Sequence, residues 1–255
     1  MLSTYSDLAG KTAVVTGGSR GIGAQTARLL AAQGANVCVA GRDRAALDSV
    51  VAEITAAGAG TAFGVVANVT AAADLAELRD AVTQRFGAVD VLCPFAGGQG
   101  APAPTSALTE QRWHEVLDSE LTSVFLTVQA FLPAMVERGS GSIVTMSSSA
   151  GRQPSQANLA YGVANAGLIM LTRHLATEYG PHGIRVNALA PSSIRTEKVE
   201  AHMPEAVQQQ VAAAHPLRRL GTTTDVAETA LFLASDASAY LTGLTIDVAG
   251  GRITN

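Results

Sequence analysis

Residues 12–23, TAVVTGGSRGIG, run from a short β-branched stretch into a turn that holds Gly17, Gly18, Gly21 and Gly23. The first five residues read as a buried strand, and the apolar spacing of three and four that begins at Gly21 and continues to residue 33 reads as a helix. A strand that feeds a helix through glycines lets backbone approach a pyrophosphate held at the positive end of the helix dipole. The candidate phosphate-binding residues are therefore Gly17, Ser19, Arg20, Gly21, Ile22 and Gly23.

The same alternation continues along the chain. Strand-like runs stand at 12–16, 36–40, 61–67, 89–93, 142–147, 184–189 and 244–248, and helical spacing occupies 21–33, 43–57, 71–86, 109–136, 156–180 and 224–234. Parallel strands need crossover connections, and each crossover helix must bury its apolar stripe on the sheet. The fold class is thus α/β, a single Rossmann-type doubly wound domain over residues 1–255 with a seven-stranded parallel sheet and helices on both faces. Gly34 and Gly58 suit helix C-termini, while Asp74 and Thr109 stand near helix starts. Two stretches break the pattern: 97–108, rich in Gly and Pro, and 191–222, where Pro204 and Pro216 interrupt any strand. Both follow strands, so both are candidate walls of a ligand crevice, and 191–222 is expected to be a substrate lid.

Composition narrows the function. Only 15% of the residues are charged, where roughly 25% is usual. With 47% hydrophobic residues and a net charge of −4, the chain is built to fold rather than to stay disordered. Its 17 Lys and Arg are scattered, which argues against nucleic acid and for a small-molecule substrate. No uninterrupted apolar run of about 18 residues and no signal-like N-terminus is present, so the expected setting is cytoplasmic, without a membrane partner. Cys38 and Cys93 lie in apolar strand runs and are expected to be buried and unreactive. The five His show no metal-like spacing, and no metal is expected, although His202 and His215 fall in the lid region.

The tip of the second strand, AGRDR, normally addresses the adenosine ribose. An acidic residue there would accept from a free 2′-hydroxyl; this chain has Arg42, with Arg20 of the glycine turn on the same side. Two guanidinium groups suit a 2′-phosphate, so the expected cofactor is NADP(H), unless Arg42 is spent on a surface pair with Asp43 or Asp48.

These motifs, together with others downstream, make the chain resemble the short-chain dehydrogenase/reductase family over nearly its whole length, in the manner of the 3-oxoacyl carrier-protein reductases. TGGSRGIG is similar to the family's TGxxxGIG; Asn68-Val69 stands where the family has Asp-Val beside the adenine; Ala96-Gly97 ends its NNAG motif. GSIVTMSSSAG resembles the strand that carries the catalytic serine, and IRVNALAP the IRVNxxxPG segment, which brings Pro191, Ile194 and Thr196 to the nicotinamide side. The resemblance implies a homo-oligomer, commonly a tetramer. It also implies catalysis by a Tyr-x-x-x-Lys pair, a Ser thirteen residues before the Tyr, and an upstream Asn. Tyr161 and Ser148 are in place, but Asn165 stands where the Lys belongs and Glu120 where the Asn belongs. Pro94-Phe95 replaces the two asparagines of NNAG, and Ser192 the glycine of PG.

The implied Lys lowers the Tyr pKa and binds the nicotinamide ribose. Asn165 carries no charge, though it lies one turn from Tyr161 and could reach a ribose hydroxyl. If Glu120 faces the crevice, it disfavours phenolate at Tyr161 and attracts cations. A Tyr base for alcohol oxidation is then poorly supported, whereas a neutral phenol donor for reduction still works. One expectation is an NADP(H)-dependent oxidoreductase that reduces a C=N group, imine or iminium, or a C=O group of a small molecule. The other is a cofactor-binding protein without redox activity, serving a non-redox step or a partner. Ser148, Tyr161, Asn165 and Glu120 are the catalytic candidates. Trp113, Phe125 and Phe131 are expected to pack, and the apolar run Leu168–Leu171 is compatible with burial against a partner helix.

Overall fold

The computed structural model of the protein describes residues 3–254, so residues 1, 2 and 255 of the expected domain lie outside the described residues. Seven strands form one sheet: β1 (Thr12–Thr16), β2 (Asn36–Gly41), β3 (Thr61–Val66), β4 (Val91–Pro94), β5 (Gly141–Met146), β6 (Ile184–Pro191) and β7 (Thr245–Val248). Their order across the sheet is β3-β2-β1-β4-β5-β6-β7, and every neighbouring pair is parallel. The helices are α1 (Gly21–Ala32), α2 (Arg44–Ala57), α3 (Ala72–Phe86), α4 (Glu110–Leu117), α5 (Ser123–Arg138), α6 (Leu159–Tyr179), α7 (Glu197–His202), α8 (Glu205–Ala213) and α9 (Thr223–Ala234).

The two faces follow from the two-residue period of the strands. On β1, Ala13 and Val15 join a core with α1, α2 and α9, while Val14 joins the opposite core with α3, α5 and α6. All five β1 residues are buried, as a strand covered on both faces requires. Cys38 and Cys93 are free and buried within these strands. Burial pushes both thiols up to about 12, so they pack as small apolar residues.

Sequence signals account for most of the helix ends. Thr109 and Asp43 side chains cap α4 and α2, and Gly58 ends α2 in the left-handed region with φ 74°. The helix expected over 109–136 is present and runs unbroken over Glu110–Arg138, with a π-helical turn, Asp118–Thr122, between α4 and α5. Such a turn shifts backbone pairing by one residue, which hydropathy periodicity does not register. The stretch Glu110–Arg138 is also long and apolar enough to cross a membrane by length and composition. Its Val124, Val128, Phe131, Leu132 and Met135 are buried in the core, which accounts for that composition.

The 191–222 connection is more ordered than its prolines suggest. It holds α7, α8 and a two-stranded parallel ribbon in which Ile194–Arg195 pairs with Gly221–Thr222. The expectation that no strand forms there is corrected: two residues on each side suffice because the ribbon only closes the base of the segment. Just before the ribbon's second strand, Arg218 has φ 54°, the one non-glycine residue with positive φ among the described residues. Holding an L-residue there costs roughly 1–2 kcal/mol. Arg218→Gly is expected to stabilise the fold by about 0.5–1 kcal/mol after the added freedom of the unfolded glycine is counted, seen as a Tm about 1–3 °C higher. A lower Tm would mean that the bond from Arg218 Nη1 to the Ala213 carbonyl outweighs the strain.

Candidate active site

The winding of the sheet reverses between β1 and β4, and the candidate residues collect beyond the carboxyl ends of the strands at that point. After β1 the chain turns at Gly17, whose φ is 65°. A Cβ there would stand 2.8 Å from the Phe95 carbonyl oxygen and 2.9 Å from the Ala96 Cα. The glycine turn is therefore seated directly on the altered NNAG segment, and Thr16 Oγ1 accepts a 3.3 Å bond from Ala96 N. Gly21, Ile22 and Gly23 open α1, whose N-terminus has no side-chain cap. Asn68 is exposed after β3, where its Oδ1 accepts from Thr70; Val69 beside it is half-buried.

An open cleft of about 530 Å³ lies at the tip of β2, lined by Ser19, Arg20, Arg42, Asp43, Arg44 and Ala45. Arg20 pairs with Asp43, and Arg44 lies 3.6 Å from Asp48. Arg42 makes neither of the pairs open to it from the sequence and has no ion pair among the described residues. A glycine turn at a helix N-terminus beside a cleft with an uncommitted guanidinium fits a dinucleotide phosphate group.

Across the crevice, Ser148 caps the 3₁₀ turn Ser149–Gly151, its Oγ accepting from Ala150 N at 3.2 Å. Gly151 packs against the α6 backbone so closely that a Cβ would come within 2.6 Å of the Asn165 carbonyl carbon, and this contact sets the distance between the serine segment and Tyr161. Asn158 caps α6 by accepting from Tyr161 N at 2.9 Å. Burial is the first cause that raises the Tyr161 pKa above its usual value, and the Glu120 charge adds to it; hydrogen bonds with the Ser148 and Asn165 side chains act the other way. Asn165 is only 1% exposed, and its Nδ2 donates 2.9 Å to the Tyr161 carbonyl. One of the two N–H donors of that amide is thereby used within the helix.

Glu120 sits in the π turn with 6% of its surface exposed. Rather than lying free in the crevice, its Oε1 accepts from Gly98 N and Gln99 N, both at 2.7 Å. Burial raises its pKa from the usual carboxylate value; the two amide donors and the charges of Arg112 and Lys198 oppose that. Three participants carry no family motif: Gln99, Arg112 and Asn158. Only Asn158 had a readable signal, as a helix-capping residue type just before an apolar run.

The remaining candidates sort by burial. Pro191 ends β6, Ile194 is 7% exposed, and Thr196 caps α7 by accepting from Val199 N. His215 is buried at 1% exposure: its Nδ1 lies 2.7 Å from the Val211 carbonyl and its Nε2 3.0 Å from Ser192 Oγ. Nδ1 donates and Nε2 accepts, so Ser192 and His215 tie the two ends of the 191–222 segment. His202 is exposed on α7. Phe131 is buried as expected and Trp113 half-buried, but Phe125 is 46% exposed, contrary to a packing role within the chain. Among the described residues no group of three or more His, Cys, Asp or Glu is arranged to hold a metal ion.

A family model described as enoyl-(acyl carrier protein) reductase matches residues 17–252. The chain is 40% identical over 246 residues to the 3-oxoacyl-(acyl-carrier-protein) reductase FabG of Staphylococcus epidermidis, spanning 94% of this chain and 98% of that protein. Among solved structures, a short-chain type dehydrogenase/reductase from Mycobacterium marinum is similar with a TM-score of 0.92 and 35% identity over 98% of each chain. Levodione reductase is similar with a TM-score of 0.91 and 30% identity, over 96% of this chain and 98% of that one.

The raised Tyr161 pKa has a signed consequence. A phenol that donates a proton must be protonated, so activity in the reductive direction should hold on the acid side of that pKa and fall as pH rises through it. Glu120→Gln removes one of the two raising causes and should move the fall to lower pH, with the 295 nm phenolate absorbance of the protein shifting in step. A fall that stays in place would show that the carboxylate does not act on the phenol.

Proposed function

The chain belongs to the short-chain dehydrogenase/reductase family and is an oxidoreductase of that type, and on that premise we propose that it uses NADPH to reduce a C=N or C=O group of a small molecule. The observation that carries the reading is the half-buried Tyr161 phenol, set beside the Ser148 side chain and the neutral Asn165, its pKa raised by desolvation and by the Glu120 charge. Such a group serves reduction and not alcohol oxidation, where it would have to work as phenolate.

The bound dihydronicotinamide supplies the hydride. The glycine turn and the α1 N-terminus would hold its pyrophosphate, and Arg42 would meet its 2′-phosphate. Ser148 hydrogen-bonds the substrate heteroatom and orients it toward Tyr161. With a ketone or a neutral imine, Tyr161 gives its proton to the oxygen or nitrogen as hydride reaches the carbon, and the phenolate regains a proton from solvent. With an iminium ion, hydride alone neutralises the nitrogen and no proton is needed. C=N substrates come first in this reading because Glu120 is the charge that acts on the phenol: it favours a cationic substrate and offers nothing to a developing oxyanion. We further propose that 191–222 closes over the substrate as a lid.

NADPH is expected to bind about ten- to a hundredfold more tightly than NADH, with Arg42→Ala removing most of the difference. Cyclic imines such as 3,4-dihydroisoquinoline are expected to be reduced faster than cyclohexanone. Equal affinity for the two cofactors would overturn the NADPH assignment. Turnover of ketones with none of cyclic imines would overturn the C=N preference.

The setting we propose is cytoplasmic, and the assembly a homo-oligomer, by analogy with family members. Phe125 on α5 and Val163 and Met170 on α6 are 46%, 44% and 60% exposed, an apolar set suited to meeting a second copy. Light scattering should give a multiple of the 26.0 kDa chain mass, and Met170→Asp should lower it; a monomer at all concentrations would overturn the assignment.

A further inference from the structure

A run of three glycines in four residues, Gly97 to Gly100, has no local reason to hold one conformation. Its shape comes from outside. Gln99 spends its N–H on Glu120 of the π turn at 2.7 Å, its carbonyl on Asn158 Nδ2 at the start of α6 at 2.8 Å, and its side-chain oxygen on Arg112 Nη2 of α4 at 2.8 Å. Gly98 N and the Ala101 carbonyl add bonds to Glu120 and Asn158, at 2.7 and 3.0 Å.

The loop fits tightly at both ends. A Cβ at Gly97 would come 2.7 Å from Glu120 Oε2, and one at Gly100 would come 3.2 Å from the Tyr161 ring. The segment therefore lies on the proposed proton donor, and the residue that receives a tether from each of the three surrounding elements is Gln99. Its remaining donor, Nε2, has no partner among the described residues.

We infer that Gln99 is a positioning residue of this enzyme: gripped by Glu120, Arg112 and Asn158, it holds the 97–101 loop as a wall over Tyr161 and leaves its Nε2 available to a substrate acceptor atom. Glu120 then acts through the loop, as the acceptor that fixes it, rather than as an acid or base. The inference rests on the reading of Tyr161 as the proton donor.

Hydrogen exchange read by mass spectrometry on a peptide covering residues 95–102 tests the grip without any turnover. Arg112→Ala, which removes one hydrogen bond to the loop, should speed exchange there by about tenfold, and Glu120→Ala, which removes two, by more than that. Glu120→Gln, which keeps the acceptor oxygen, should restore slow exchange. Unchanged exchange in both alanine variants would overturn the clamp.

Gln99→Met keeps the length of the side chain, adds no charge and lacks the donor. With 3,4-dihydroisoquinoline or cyclohexanone, whichever is turned over, it should raise KM about tenfold and leave kcat within about twofold. An unchanged KM would overturn the substrate-facing role of Nε2. A protein that reduces neither probe would refute the redox reading, while the exchange result would still decide the clamp.

Discussion

Parallel pairing of β1 with β2 on one side and β4 on the other is the constraint on which the rest of this molecule is built. The connection from β1 to β2 leaves in one direction and the chain returns to β4 from the other, so nothing crosses the carboxyl end of β1. A gap is left there by topology alone. The glycine turn opens into it from below, the segment after β4 borders it, and β5 and β6 deliver Ser148 and Pro191 to the same level. Because β1 is buried on both faces, this arrangement cannot shift without disturbing two cores at once.

Within the gap the decisive terms are electrostatic. A carboxyl group taken out of water is costly unless hydrogen-bonded, and Glu120 meets that requirement with loop amides rather than with a cation. Tyr161 has no Lys one turn away to draw off its proton, so burial dominates its titration. In the function we propose, the site keeps the acid half of family chemistry and gives up the base half. Asn165 fits this picture as a neutral residue, one of whose two amide N–H donors is bonded within its own helix.

The sheet, the crossover helices and the glycine turn were legible in the sequence because each leaves a periodic or compositional mark: alternation in the strands, spacing of three and four in the helices, glycines where backbones touch. Tyr161 and Ser148 were legible through their spacing. Other features leave no such mark. Which oxygen of Glu120 meets which amide depends on a π turn that shifts the helix by one residue, and hydropathy is blind to that shift. Gln99 and Arg112 meet across thirteen positions of chain, a relation set by how a loop folds back on a helix. The strained Arg218 and the Ser192–His215 bond likewise depend on how the two ends of a long connection come together.

The close fit of Gly97 against Glu120 bears on how such a site can change over time. Replacing Glu120 by the shorter Asn typical of the family would take the acceptor away from the Gly98 and Gln99 amides, and a side chain at position 97 would press on the glutamate. Neither position can drift while the other is fixed. The glycine and the acid form an epistatic pair, so the proton chemistry of the pocket is held in place by the geometry of a loop that takes no part in it.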